Sequence, residues 1–336
     1  MKKLLMLLLS MLLVGALAAC QPSADDPNGD GNGGDDDVFE ITVIIKATDS
    51  NYWQTVLLGA QAAAADSNGT IRVTTAGPTS ETDIGEQVTI LENAITAGPD
   101  GIVIASISSD ATVPAVEDAV GRGIPVVTVD NKLNTDAYSQ HLATNHYDAA
   151  AEAAEEMAKK WADDGVDADG KKVVVLSADS GSAVNQARTN GFIDKITELV
   201  PGIVVLETQY ADNDIGRAQD ILDNLIIANP DLIGVFGDNN HMGNGIANSI
   251  EQNNKGDEIV SFAFDSDDTQ IAAIQNGVLT GLVVQDPFGM GYNGVLAAVE
   301  VAKGNSVTKD VVAATTLVTI DNMNDPAVQK LLYPGQ

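Results

Sequence analysis

From residue 39 onward the chain alternates short runs rich in Val and Ile with longer stretches whose apolar positions recur every three or four residues. An apolar run without polar alternation is the pattern of a strand covered on both faces. Such runs predict strands over 40–46, 70–75, 101–105, 124–129, 172–177, 203–207, 232–236, 259–264 and 280–284. Helical spacing falls between them, over segments such as 53–65, 84–97, 112–121, 149–162 and 216–228. Strand and helix in alternation predict an α/β chain whose parallel sheets carry helices on both faces.

The pattern also repeats. Residues 90–105, ILENAITAGPDGIVIA, align without a gap on 221–236, ILDNLIIANPDLIGVF, with eight identities in sixteen positions. Each copy reads as a helix, a Pro-Asp turn and a buried strand. The following strand recurs too: IPVVTVDN at 124–131 parallels IVSFAFDS at 259–266, and each sets an Asp just past the strand, Asp130 and Asp265. The repetition predicts two similar doubly wound lobes. Open parallel sheets bind ligands beyond the carboxyl ends of their strands. If both lobes turn that edge toward each other, Lys46, Asp130, Asn239, Asp265 and Gln285 meet at one interlobe cleft.

Ahead of this pattern, Lys2 and Lys3 precede an apolar stretch over 4–19 that ends in Leu17-Ala18-Ala19-Cys20. A short basic region, an apolar segment and small residues make an export signal, expected to be removed from the mature chain. Residues 20–38 then offer almost nothing to bury and predict a solvated acidic tether. Within it Asp26, Asn28, Asp30, Gly31 and Asp37 carry calcium-loop spacing. Asp in place of the final Glu reaches an ion less well, and no amphipathic helices flank the loop, so a metal site is not expected.

Composition narrows the chemistry. With 48 Asp and Glu against 17 Lys and Arg, the net charge is −31, which repels nucleic acid and anionic membrane surfaces. Such acidity suits high external salt, which screens the self-repulsion. One cysteine cannot form an intrachain disulfide or a Cys-based metal site. His141, His146 and His241 lack metalloprotease spacing, and no GxSxG, GxxxxGK[ST] or strand-linked GxGxxG occurs. Neither an enzyme nor a cofactor is expected.

The segments IIKATDSNYWQTVLLGAQ (44–61), GPTSETDIGEQVTILENAI (77–95), IPVVTVDN (124–131), QARTNGF (186–192), GVFGDNNHMGNGI (234–246) and SFAFDSD (261–267) resemble the sugar-type substrate-binding proteins of bacterial ABC transporters. The likeness covers about residues 39–320. It implies the type I periplasmic-binding-protein fold, two doubly wound parallel-sheet lobes joined by a three-segment hinge. The crossings would lie near Thr144-Asn145, Gln285-Asp286 and Ala314-Thr315. Lobe 1 would then be 39–144 plus 286–314, and lobe 2 would be 145–285 plus 315–336. The ending Leu-Ala-Ala-Cys resembles a lipobox, implying a signal peptide over 1–19, lipid on Cys20 and attachment to the outside of the cell membrane by that lipid alone. The implied partners are a small sugar, an ABC permease and its ATPase, with the protein a monomer. A sugar-responsive repressor shares the fold but would carry a helix-turn-helix headpiece in place of this leader and tether.

The resemblance adds Tyr52, Trp53, Asn131, Gln186, Arg188 and Asn213 to the candidate site. Tyr52 or Trp53 would offer a flat apolar face to the C–H groups of a sugar ring, while Trp161 is left at the end of a surface helix. Several positions depart from the pattern. Asn131 stands where many relatives carry Arg; Gln186 replaces another Arg, with Arg188 two residues on; and Asn213 takes a position often aromatic. Lys46 replaces a small polar residue. Lys at this strand end also occurs in binders of autoinducer-2, a furanosyl signal, which the Asn185-Gln186 pair partly resembles, whereas Asp238-Asn239 looks like the sugar type. A monosaccharide or related polyol is the expected ligand, with an autoinducer-2-like furanose or a sensory role as alternatives.

Overall fold

The computed structural model describes residues 38–334; Cys20, the leader, the tether and its calcium-like spacing lie outside them. The chain builds two sheets of the same winding. In the first, β1 (Phe39–Ile44) lies between β2 (Ile71–Ala76) and β3 (Gly101–Ile104), followed outward by β4 (Val126–Val129), β5 (Gln140–Thr144) and β12 (Asp310–Ala313), all parallel. In the second, β6 (Lys172–Ser177) lies between β7 (Val204–Val205) and β9 (Leu232–Gly237), followed by β10 (Val260–Phe264), β11 (Gly281–Val284) and an antiparallel β13 (Thr316–Thr319). Each sheet therefore reverses its direction of winding beside its first strand, the point at which open α/β sheets leave a crevice.

Strand periodicity sorts each core into two layers. Val43, Val103, Val127 and Val129 face α1 (Asn51–Asp66) and α9 (Pro287–Ala302), while Ile44, Ile102, Ile104 and Val126 face α2 (Ile84–Ala97) and α3 (Val113–Gly121). In the second sheet Val173, Val175, Phe236, Phe262 and Phe264 pack under α4 (His146–Asp163) and α5 (Ala183–Leu199). Val174, Leu176, Val235, Ala263 and Leu282 meet α6 (Ile215–Ala228), α7 (Asn240–Asn253) and α8 (Asp268–Gln275). Successive strand residues point to opposite faces, so one Val/Ile run fills two layers at once.

The main chain passes between the sheets three times: after Thr144 into α4, after Val284 through Gln285 and Asp286 into α9, and from β12 to β13. Packing of α1 on α9 is backbone-close. A Cβ on Gly59 would sit 1.9 Å from the Phe288 carbonyl oxygen, and one on Gly291 would sit 1.9 Å from that of Val56.

Some local features differ from the expectation. The expected strand over 203–207 is only the two-residue β7, and a second fragment, β8 (Gln209–Tyr210), follows it; both pair with β6. β5 has no apolar run, because buried Gln140 and His141 begin it. Trp161 stands in the last turn of α4 as expected but is turned inward: it is 2% exposed, and its Nε1 donates to the Ile233 carbonyl at 3.1 Å. Among the described residues no helix is long and apolar enough to cross a membrane.

Candidate ligand-binding site

The carboxyl ends of both sheets border one narrow cleft. Asp130 follows β4 and Asp265 follows β10, both in the left-handed region with φ of 67° and 71°. Asp tolerates that conformation better than most residues because its short side chain bonds locally. Each Asp also extends its strand ladder by one bond, the Asp130 N–H donating to the Leu142 carbonyl and the Asp265 N–H to that of Val283, both at 2.9 Å. The turn then aims both carboxyl groups into the cleft, where both line the wall.

On the lobe 1 side, Lys46 follows β1 and is 3% exposed; its Nζ donates to Asp130 Oδ2 at 2.5 Å. Burial opposes ionisation of Asp130, but Lys46, His146 and Arg188 outweigh it and hold the carboxyl well below its ordinary range. Oδ1 of Asp130 is buried and has no hydrogen-bond partner among the described residues. Among the described residues no cation lies this close to Asp265, and burial pushes its carboxyl up to about 6 despite Arg188 and a hydrogen bond from Gln285. That bond, Gln285 Nε2 to Asp265 Oδ1, is 2.6 Å long, and Gln285 Oε1 accepts from Thr144 Oγ1 at 2.8 Å. Gln285 thus ties two chain crossings to one cleft carboxylate.

Tyr52 and Trp53 begin α1 and form the apolar wall, edge to face with ring centroids 4.7 Å apart. The Trp53 Nε1 donates to Glu81 Oε1 at 2.5 Å, and Lys46 Nζ lies 5.3 Å from its ring. Burial first, then Asp130 and Asp265, raise the Tyr52 phenol well above its usual value, so it remains a neutral donor.

The lobe 2 wall is polar. Arg188 Nη1 donates to the Asp238 carbonyl at 2.8 Å, and its guanidinium lies 3.9 Å from the Phe264 ring centroid. Beneath it, burial pushes the Asp238 carboxyl up to about 7, although Ser177 Oγ and the Ala178 N–H both donate to it. Asn239 caps α7 through its Oδ1 and donates from Nδ2 to Asn213 Oδ1 at 2.7 Å. His241 Nδ1 donates to the Asn213 carbonyl at 2.8 Å.

Of the residues expected here, Lys46, Tyr52, Trp53, Asp130, Arg188, Asn213, Asn239, Asp265 and Gln285 line the cleft. Two do not. Asn131 is turned into lobe 1, its Nδ2 donating to the Ser106 carbonyl at 3.1 Å, because the residue after Asp130 points away from the cleft. Gln186 is exposed and donates to the Ser180 carbonyl; on α5 the cleft-facing positions are Val184, Asn185 and Arg188, a spacing that excludes 186. Ser50, Glu81, Asn240 and His241 also line the cleft and were not foreseen, though each lies within four residues of a strand end, helix start or motif already quoted.

A profile of the family described as periplasmic binding protein domain matches residues 41–306. The ribose import binding protein of Bacillus subtilis is 26% identical over 313 residues, covering 93% of this chain and 97% of that protein. Among solved structures, a carbohydrate transporter solute-binding protein from Agrobacterium radiobacter, in complex with D-arabinose, superposes with a TM-score of 0.83 at 34% identity, over 88% of this chain and 99% of its own. An ABC transporter solute-binding protein from Agrobacterium vitis with bound D-fucose gives 0.82 at 31%, over 88% and 100%. The repeated parallel-sheet lobes, the cleft at their carboxyl ends and these likenesses agree: the chain belongs to the periplasmic binding protein family, as a sugar-type member with the type I fold.

Proposed function

We propose that this protein is the solute-binding component of an ABC importer and captures a monosaccharide or related polyol between its lobes. The observation that carries the reading is the pairing of an apolar wall, Tyr52 and Trp53, with carboxylates that retain acceptor capacity, above all the unpartnered Asp130 Oδ1. A pyranose has the matching character, with C–H groups on its faces and hydroxyls at its rim. Hydroxyl donors satisfy Asp130 and Asp265, while Arg188 and the Asn213–Asn239 pair offer donors to ring and hydroxyl oxygens. An analogue lacking one hydroxyl leaves a buried polar group unpaired and binds more weakly.

Capture follows from the two-lobe layout. A ligand that touches Asp130 on one lobe and Asp265 on the other stabilises the closed arrangement by the difference in its affinity for the two states. The closed form then presents one surface from each lobe to a permease, whose ATPase drives release. The protein performs no chemistry on its ligand. It acts outside the membrane as a monomer held by lipid on Cys20, the residue that follows the leader.

Calorimetry with D-ribose, D-arabinose, D-fucose, D-tagatose and autoinducer-2 tests the ligand class. Binding of one of the four sugars at micromolar or tighter affinity is expected; tighter binding of autoinducer-2 assigns the furanose alternative, and binding of none overturns both. Mass spectrometry of the native protein tests the anchor, with a diacylated Cys20 expected at the mature N-terminus and an unmodified chain cut elsewhere overturning it.

A further inference from the structure

His146 is the first residue of α4, two residues beyond the end of β5, and its ring is buried where the two lobes meet. Arg188 Nε and Nη2 lie 3.3 and 3.2 Å from His146 Nδ1. A guanidinium only donates, so Nδ1 is the bare nitrogen and the ring proton resides on Nε2. That N–H is donated to one residue of the other lobe: Nε2 is 3.4 Å from the Asp130 carbonyl oxygen, and Asp130 Oδ1 lies 3.2 Å from Nε2 as a charge contact without hydrogen-bond geometry. The result is a continuous chain, Arg188 to His146 to Asp130, which Lys46 closes from the far side at 2.5 Å.

We propose that His146 is a positioning residue for ligand capture, holding Asp130 of lobe 1 and Arg188 of lobe 2 in register through its two ring nitrogens. Asp130 needs such support because its left-handed backbone is less favourable than an extended one. The His146 N–H fixes the carbonyl of that turn while grazing the carboxylate. Arg188 needs it because two of its nitrogens would otherwise face a buried site without an acceptor. The charged groups facing the ring are Arg188 from α5, Asp130 from the end of β4 and Lys46 from the end of β1, with Asp238 behind Arg188 at the end of β9. Burial and the adjacent guanidinium both disfavour a second ring proton, which would point at Arg188. The device therefore works as a neutral imidazole.

The inference rests on the cleft being the sugar site, but its first test needs no sugar. In the ligand-free mature chain with ¹⁵N-labelled histidine, the ring signals lost in His146→Gln identify this residue. A bare Nδ1 and a protonated Nε2 are expected at about pH 6, where an ordinary histidine is largely charged; an Nδ1–H tautomer or an imidazolium overturns the proposal. The second test splits the two contacts, with D-arabinose as probe. His146→Asn keeps an acceptor near Nδ1, and His146→Gln keeps a donor near Nε2. Each should weaken binding roughly tenfold, and His146→Phe, which keeps neither, roughly a hundredfold. The titration of the Asp130 carboxyl carbon should move up in His146→Phe, which loss of packing alone would not cause. A His146→Phe chain that binds D-arabinose within about twofold of wild type, or leaves the Asp130 titration unmoved, overturns the proposal. If the wild-type chain binds none of the sugars, the function reading fails, while the ring and carboxyl signals still decide the role of His146.

Discussion

Asp130 and Asp265 stand at equivalent strand ends with nearly the same backbone, φ of 67° and 71°, yet their environments drive their carboxyl groups in opposite directions. Asp130 has Lys46 at 2.5 Å, whereas the hydrogen-bond partner of Asp265 is the neutral amide of Gln285. Repetition of the chain reproduced the geometry and left the charge free to differ.

That asymmetry predicts opposite responses to removing the charge. Asn is the informative replacement, since it tolerates a left-handed turn where Ala would add strain. Asp130→Asn leaves Lys46 buried without its anion and should lower unfolding free energy by about 3–5 kcal/mol at neutral pH. Asp265 titrates at about 6 in the fold against an ordinary 3.8. Between those values the folded protein holds a proton that the unfolded chain has released, so this group's contribution to stability falls as pH rises through the window. Asp265→Asn lacks that loss, and its stability relative to wild type should climb by about 3 kcal/mol between roughly pH 4 and pH 6. Urea melts of both variants across this range decide the matter; parallel curves for Asp265→Asn and wild type would show that the carboxyl is not raised.

Sugar capture should release protons near pH 6. A ligand hydroxyl donating to Asp265 favours its ionised form, so a group that is half protonated before binding becomes deprotonated after it. Calorimetry in two buffers of different ionisation enthalpy should show a net release approaching about half a proton per site at pH 6, fading by about pH 8. Uptake of protons at pH 6 would contradict this.

Gln285 links Thr144 at the first crossing to Asp265 in the cleft. Gln285→Met keeps the volume and removes both hydrogen bonds. Binding should weaken by roughly tenfold or more, and Thr144→Val in the same background should cost less than it does alone, because the two residues share one bond. Strictly additive losses in that double-mutant cycle would separate the crossing from the site.

Gly234 on β9 faces Trp161: an added Cβ would lie 2.6 Å from Cζ2 of the indole and 2.8 Å from Met157 Sδ. Gly234→Ala should therefore cost about 1–3 kcal/mol through overpacking, with sugar affinity unchanged because this packing lies outside the cleft. Thermal melts and calorimetry on one sample measure both.

Strands such as GIVI and VVTV are legible because burial on both faces demands unbroken apolar runs, and the repeat exposes their order. β5 is not, because its buried Gln140 and His141 take partners, the Thr308 carbonyl and Thr128, that only the assembled sheet provides. That residues at strand ends would line one cleft was readable from topology. Asn131 and Gln186 lie off the cleft because adjacency in sequence is not adjacency in space: the turn after Asp130 directs Asn131 into lobe 1, and on α5 residue 186 falls outside the face that carries 184, 185 and 188. Arg188 meets His146 across 42 positions of chain, and no spacing rule encodes that encounter.

The glycine-mediated fit of α1 against α9 gives the aromatic wall a mechanical character. α9 begins one residue after Gln285-Asp286 leads the chain out of the second sheet, and Asp286 caps it by accepting from the Gly289 N–H at 2.7 Å. Because Gly59 and Gly291 allow backbone-to-backbone contact, the two helices have almost no room to slide. Tyr52 and Trp53 therefore ride on a stiff two-helix lever whose fulcrum is that crossing. A torsional change at Gln285-Asp286 would carry α1, α9 and both rings together as one unit.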